Sequence, residues 1–430
     1  MKRPHVRLSG WDDVQPLGVL CLGCGAHHDV IPNLTTCSLC RGNLDITYDY
    51  AHLRKKLDAD GWPRYPGIWR YRPLLPLRRL PEMVSSGRSP VFSRVGGTPL
   101  SRFPILEESL GLSSIWLKDD TVLPSGSFKD RASAVAMARG WGDGGTVFAT
   151  ASTGNAGASL ACLCAATGTK SVILVPEGAP RGKLAQLGVY GCHLVVVQGN
   201  YDAAFDLCMR LDGIPGVTVR STGMNPFTRE GKKTVSLEIF SQLRRPPSWV
   251  IVPVGDGNIL SGTWKGFHDL FELGKINRMP RLAAIQAEGS SSIAQAFNHG
   301  RPAVEAVSAD TLADSISVDF PRDGQGALHA LRKTNGVACT VSDAEILDSQ
   351  RWLASRTGLY VEPAAAASIA GLRSLVHQGV IERRDSVVVL LTGTGLKDVE
   401  KTIRATVLPT ARPPDAEGLR REVERIVSGE

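Results

Sequence analysis

From Gly97 onward, short apolar runs alternate with amphipathic stretches. Ser114-Ile-Trp-Leu-Lys-Asp119 reads as a strand, and the Ala-rich stretch 132–140 as a helix stopped by glycine. Val147-Phe-Ala-Thr-Ala151 predicts a strand, then a Ser/Gly/Asn turn and a helix running to Thr167 and capped by Gly168. Strands are predicted at 171–175 and 193–197 around a helix at 182–190. A helix near 203–211 and a strand at 217–220 follow. Helices at 231–243 and 261–273 flank the strand Trp249–Pro253, and 282–286 and 387–391 are further strands. Such βα alternation predicts parallel sheets wrapped by helices. Three or more strands on each side of residue 216 suggest two α/β domains with a cleft between them.

At 430 residues the chain can bury at least one large core, and two or three domains are expected. A net charge of +7 is mild for this length and suits an anionic cofactor or substrate. Arg64, Arg70, Arg72, Arg78 and Arg79 lie among Trp62, Tyr65, Trp69 and Tyr71. That mixture also occurs in nucleic-acid sites, but no nucleic-acid motif accompanies it. The preferred reading is a proline-broken connector lying on the main domain, with no nucleic-acid partner. The start, Met-Lys-Arg-Pro-His, does not resemble a secretory signal, and the apolar run 17–22 is too short for one. No apolar segment approaches membrane-spanning length. Cys162, Cys164, Cys192, Cys208 and Cys339 are scattered through apolar segments, as reduced core cysteines are. A cytoplasmic protein with no membrane partner is therefore expected.

The other four cysteines are ordered. Cys21-Leu-Gly-Cys24 and Cys37-Ser-Leu-Cys40 form two CxxC pairs separated by twelve residues. Four thiolates at tetrahedral reach suit a structural zinc ion, with a redox pair or chance clustering as alternatives. A closed four-thiolate site leaves no open position, so scaffold rather than catalysis is expected. His27 and His28 read as loop residues.

Pro124-Ser-Gly-Ser-Phe-Lys129-Asp-Arg131 puts one lysine at the mouth of a helix. The positive end of the helix dipole disfavours its protonated form. A neutral amine is a nucleophile toward carbonyls, including the aldehyde of pyridoxal phosphate (PLP); the plainer alternative is a solvated first-turn lysine. Three strand-to-helix loops could hold a cofactor. Val254-Gly-Asp-Gly-Asn-Ile259 offers backbone N–H groups to a phosphate, or is an ordinary tight turn in which Asp256 is out of place. Ser152-Thr-Gly-Asn155 could hold a carboxylate, or act as a helix cap. Leu391-Thr-Gly-Thr-Gly395 offers a hydroxyl to a ring nitrogen, or is again a turn.

These pieces, in this order, resemble threonine synthase and its relatives among the fold-type II PLP enzymes. The match runs from Gly97-Thr-Pro-Leu100 to Thr392-Gly-Thr-Gly-Leu-Lys-Asp398 and includes Ser127–Arg131, Ala151–Asn155, Gly182-Lys-Leu-Ala-Gln186, Asn225-Pro226, Glu230-Gly-Lys-Lys-Thr234, Trp264-Lys-Gly266 and Glu362-Pro-Ala-Ala365. The cysteine ribbon and Trp69-Arg-Tyr-Arg72 are similar to those of some threonine synthase-like proteins. The resemblance implies a tryptophan synthase β-like α/β fold. It implies a zinc ribbon at 1–50, a connector at 51–91, a large PLP domain at 92–119 and 216–407, a small domain at 120–215 and a tail at 408–430.

It further implies that Lys129 is the Schiff-base lysine and shuttles the substrate's Cα proton, with Phe128 beside the ring. Asn155 would bond the cofactor's O3′, and Ser152, Thr153 and Gly154 the substrate carboxylate. Gly255, Asp256, Gly257, Asn258 and Ile259 would hold the cofactor phosphate, and Thr392 would face the pyridine nitrogen. Lys183, Asn225 and Arg229 would serve the substrate and its phosphate, although the family arginine directly follows Asn-Pro-aromatic, where this chain has Thr228. The reaction implied converts O-phospho-L-homoserine and water to L-threonine and phosphate, in a homodimer. Replacement on another activated amino acid, such as O-phosphoserine with sulfite or a thiol, is an alternative, as is serine or threonine dehydration. An inert enzyme-like body behind a zinc-ribbon binding module is the non-enzymatic alternative.

Overall fold

A computed structural model describes residues 11, 14–31, 34–179, 181–406 and 409–429. The first five residues and Leu408, where the tail is expected to begin, lie outside the described residues. Strands β1 (Gly18–Cys21), β2 (His27–His28) and β3 (Leu44–Thr47) form a small antiparallel sheet in the order β2-β1-β3. The body contains β4 (Leu100–Arg102), β5 (Ser114–Asp119), β6 (Val147–Ala151), β7 (Lys170–Pro176), β8 (His193–Val197), β9 (Val217–Val219), β10 (Trp249–Pro253), β11 (Arg281–Ala287), β12 (Val337–Val341) and β13 (Ser386–Leu391).

A six-stranded sheet has the order β12-β11-β10-β13-β5-β4, parallel except for the edge pair β4–β5. A four-stranded parallel sheet has the order β8-β7-β6-β9. The fold is therefore the expected α/β type, with one boundary corrected. Val217–Val219 pairs with Val147–Ala149 of β6, so the four-stranded sheet extends past the limit expected at 215.

The central strands are apolar along their whole length because helices cover both faces. Every residue of β10 (Trp-Val-Ile-Val-Pro) is buried. The Ala-rich helix Pro363–His377 lies close against β11, where a Cβ on Gly371 would fall 2.4 Å from Ile285. The sheet order reverses around β10, β13 and β5, and ligands of open α/β sheets bind beyond the carboxyl ends of strands at such a point.

Two further packing features set the frame of the site. The helices Lys129–Gly142 and Pro226–Lys232 touch backbone to backbone, since a Cβ on Gly231 would lie 2.1 Å from the carbonyl oxygen of Arg131. Below them, Arg131 is fully buried and bonds Asp120 at 2.6 Å and Glu238 at 2.8 Å, while Lys118 bonds Glu238 at 2.7 Å. The small sheet docks on the body through polar contacts. Asn43 donates to the carbonyl oxygens of Gly223 (2.8 Å) and Arg322 (2.9 Å), and Lys265 reaches Asp45 at 3.1 Å. Among the described residues no helix is long and apolar enough to cross a membrane.

Candidate active site

Lys129 is the first residue of its helix, directly after the turn at Gly126 (φ +75°). Two links tie that turn to the loop after β13: Phe128 N–H donates to Thr392 O at 2.8 Å, and Thr394 N–H to Gly126 O at 3.0 Å. The lysine Nζ has no hydrogen bond among the described residues and opens into a cleft. Asn155, Thr222, Gly255, Glu362 and Thr392 share that cleft. Burial first, then the Arg220 guanidinium, hold the Lys129 amine below the ordinary lysine range; Asp256 and Glu362 pull the other way. The helix dipole invoked from sequence is thus joined by a larger desolvation effect.

On one wall stands the turn between β10 and the helix Asn258–Glu272. Gly257 adopts φ +87°, and a Cβ there would lie 2.6 Å from the carbonyl oxygen of Asp323, so only glycine fits. The N–H groups of residues 255 to 260 donate to no protein acceptor among the described residues. Six free donors at a helix N-terminus make a cradle suited to a phosphate group. Asp256 is tied back by the N–H of Arg322, which reaches Oδ1 at 3.1 Å. Fully buried Asp323 braces the helix, accepting from Asn258 Nδ2 at 2.6 Å and from Ser261 Oγ.

Opposite, Asn155 opens the helix Asn155–Thr167, and its Nδ2 lies 2.9 Å from both oxygens of Glu362 and 3.1 Å from Ser315 Oγ. Burial pushes the Glu362 carboxyl up, against the bonds from Asn155 and the charges of Lys397 and Lys129. The Ser152-Thr-Gly154 turn adjoins it, held tight because a Cβ on Gly157 would fall 2.2 Å from Ser152 O. The cleft continues past this turn into a wider region lined by Asp202, Asp314, Asp319 and Arg322.

Lys129, Phe128, Asn155, Thr392 and the turn 255–259 thus share one cleft, and Ser152, Thr153 and Gly154 lie on its extension. Lys183 is close to the rim but is engaged in an ion pair with Asp314. Asn225 and Arg229 require correction. Asn225 caps the helix Pro226–Lys232 and donates to Val219 O at 3.1 Å. Arg229 is buried away from the cleft, bonded to Asp323 (2.5 Å) and to Leu44 O (2.8 Å). One residue of displacement along a helix turns a side chain by about 100°, which sends Arg229 to the ribbon side.

Sequence reading gave no role to Glu362, Lys232, Arg220 or Ser315, although Glu362 and Lys232 lie in the quoted stretches 362–365 and 230–234. Glu362 also had a signal in its position before Pro363 at a helix start; Arg220 had none, because a charged residue in a strand pattern looks solvent-facing. The four ordered cysteines cluster with their Sγ atoms within 4.8 Å of one another. A tetrahedral zinc–thiolate site needs S–S separations of about 3.8 Å, so the cluster fits that ion. His28 is not a loop residue as expected: it lies in β2 and its Nε2 is 3.2 Å from Cys37 Sγ.

A family model for pyridoxal-phosphate dependent enzymes matches residues 91–393. The threonine synthase of Methanocaldococcus jannaschii is 38% identical over 410 residues, 94% of this chain and 99% of that protein. That of Methanosarcina acetivorans is 36% identical over 409 residues, 94% of this chain and 98% of that protein. Among solved structures, processed threonine deaminase isoform 2 of Solanum lycopersicum superimposes with a TM-score of 0.63 at 20% identity, covering 75% of this chain and 91% of that one. Maize serine racemase gives a TM-score of 0.60 at 20% identity, covering 77% and 93%. At that identity the two structures speak to fold alone.

Proposed function

The chain belongs to the pyridoxal-phosphate dependent enzymes and, within them, to the threonine synthase family, and on that footing we propose that this lyase converts O-phospho-L-homoserine and water to L-threonine and phosphate. The observation that carries the reading is the convergence of Lys129, Asn155 and Thr392 on one cleft beside six free backbone N–H groups. When bound, PLP supplies an electron sink for charge developing at the substrate Cα.

The residues then divide the work. Lys129 carries the cofactor and moves the Cα proton, and burial, which holds its amine below the ordinary lysine range, favours that role. The turn 255–259 takes the phosphate of PLP, Phe128 flanks the ring, and Asn155 with Glu362 faces its phenolic oxygen. Thr392 offers the ring nitrogen a hydroxyl. Unlike a carboxylate, a hydroxyl does not force that nitrogen to stay protonated, which favours elimination and replacement over transamination. Ser152, Thr153 and Gly154 receive the substrate carboxylate. Lys183 meets the leaving phosphate once Asp314 releases it. Zinc on Cys21, Cys24, Cys37 and Cys40 is a scaffold ion, and a homodimer, drawn from the family resemblance, completes the proposal.

A second reading has its own support. The Lys183–Asp314 pair and the carboxylates of Asp202 and Asp319 make the outer cleft poor in free positive charge. That would suit a substrate without a phosphate, and so the dehydration of serine or threonine. A panel of phosphorylated and free amino acids, with products identified by mass spectrometry, separates the readings. Threonine and phosphate from phosphohomoserine support the first, with Lys183→Ala weakening that substrate more than the cofactor. A 2-oxo acid and ammonia from serine or threonine, with no phosphate released from phosphohomoserine, overturn it in favour of the second.

A further inference from the structure

Lys232 ends the helix Pro226–Lys232, is fully buried, and lines the same cleft as Lys129. Its Nζ donates one hydrogen bond, 2.6 Å to Asn258 Oδ1, and forms no ion pair among the described residues. A buried ammonium with one neutral acceptor is expensive unless a counter-charge joins it. The nearby carboxylates do not supply one in contact. Asp323 is occupied by Arg229, Asn258 and Ser261. Asp256 is held by the N–H of Arg322 and reaches Lys232 only through space. Lys129 and Arg220 add further positive charge nearby, and one terminal nitrogen of Arg220 is buried without a partner.

The acceptor of Lys232 is itself informative. Asn258 is the first residue of the helix Asn258–Glu272, at the point where the six free N–H groups of residues 255–260 gather. Asn258 Nδ2 is fixed on Asp323, so its Oδ1 faces Lys232, and it also accepts from Thr228 Oγ1 at 3.3 Å. Two unused ammonium protons and six unused backbone donors therefore border one turn. They lack an anion.

We propose that Lys232 is the cationic ligand of the cofactor phosphate, completing the site formed by the 255–260 turn. The proposal rests on the cofactor reading given above and adds a residue to it. It also accounts for Asp256, an acidic side chain in a phosphate cradle: the ammonium of Lys232 offsets that carboxylate. Burial, then Lys129 and Arg220, hold the Lys232 amine well below the ordinary lysine range; a phosphate dianion beside it favours the protonated form, in which Lys232 does not compete with Lys129 for the aldehyde.

The test compares two ligands that differ only in the phosphate. Apo protein is titrated with PLP and with pyridoxal, following visible absorbance, for wild type, Lys232→Met and Lys232→Gln. Glutamine keeps a donor for Asn258 without the charge, which maintains a folded variant if methionine is not tolerated; circular dichroism checks each. The expected result is a PLP dissociation constant raised by at least about tenfold in both variants, with pyridoxal binding changed less than about twofold. Lys232→Arg should restore most of the preference. An unchanged ratio of PLP to pyridoxal affinity in a folded variant overturns the inference while leaving the cofactor reading intact. Wild-type protein that binds neither ligand overturns both.

Discussion

Replacing Asn43 by alanine should weaken cofactor binding from a position in the cysteine ribbon, three residues beyond Cys40. The Asn43 amide is buried and donates to two carbonyl oxygens of the body, Gly223 at 2.8 Å and Arg322 at 2.9 Å. Each such bond contributes about 1 kcal/mol net, and a stranded acceptor costs somewhat more. The Arg322 end is partly open to water, so the total loss is about 2 kcal/mol. The path to the cofactor is short. The N–H groups of Arg322 and Asp323 hold Asp256 at Oδ1 (3.1 Å) and at its carbonyl oxygen (2.9 Å), and Asp323 braces Asn258. If about a third of the lost energy reaches the turn, PLP affinity falls roughly threefold. Urea denaturation of the apo protein reads the first quantity, and PLP titration by absorbance the second. Chelating the zinc proposed for the ribbon should weaken PLP binding in wild type and add little in Asn43→Ala, because both act through one contact. A stability change below about 0.5 kcal/mol with unaltered PLP binding would refute the coupling.

Other outcomes follow from the same geometry. Gly157→Ala should push the Ser152–Gly154 turn outward, because its Cβ meets Ser152 O at 2.2 Å; steady-state kinetics should show KM rising at least about tenfold with the cofactor absorbance retained. Glu238→Gln strands the buried charge of Lys118 and leaves Arg131 only Asp120, and should cost about 3 kcal/mol in denaturant titration. Burial raises the Glu238 carboxyl, but Arg131 and Lys118 overcome it and hold the folded-state pKa far below its ordinary value. Its stabilisation is therefore full above that ordinary value and is lost as pH falls, so acid unfolding curves of wild type and Glu238→Gln should converge at low pH. Metal analysis of anaerobically prepared protein should find about one zinc per chain; none would remove the ribbon ion from the account.

Much of the architecture was legible because strand ends coincide with turn residues. Ser114–Asp119, Val147–Ala151, His193–Val197 and Trp249–Pro253 are apolar runs bounded by Gly, Pro, Ser or Asp, and their observed bounds are the ones read from sequence. Val217–Val219 was a visible strand, but three residues carry no mark of which sheet they join; pairing with β6 decides it. The edge strand Leu100–Arg102 is too short to show periodicity. The helix expected at 231–243 is two helices, Pro226–Lys232, capped by Asn225, and Thr234–Leu243, and Gly231 serves close packing against Arg131. Within the cleft, glycine turns and the helix-opening lysine and asparagine were readable from their places between elements. Lys232, Arg220 and Glu362 were not, because their burial depends on partners far away in the chain. Arg229 was misjudged by a single helical step.

The covalent attachment point is the most direct test of the account. Borohydride reduction of the PLP-loaded protein, followed by peptide mapping, should place the reduced pyridoxyl adduct on Lys129, and Lys129→Ala should lose both the adduct and the visible absorbance. An adduct on Lys232 or any other lysine, or none in wild type, would contradict it.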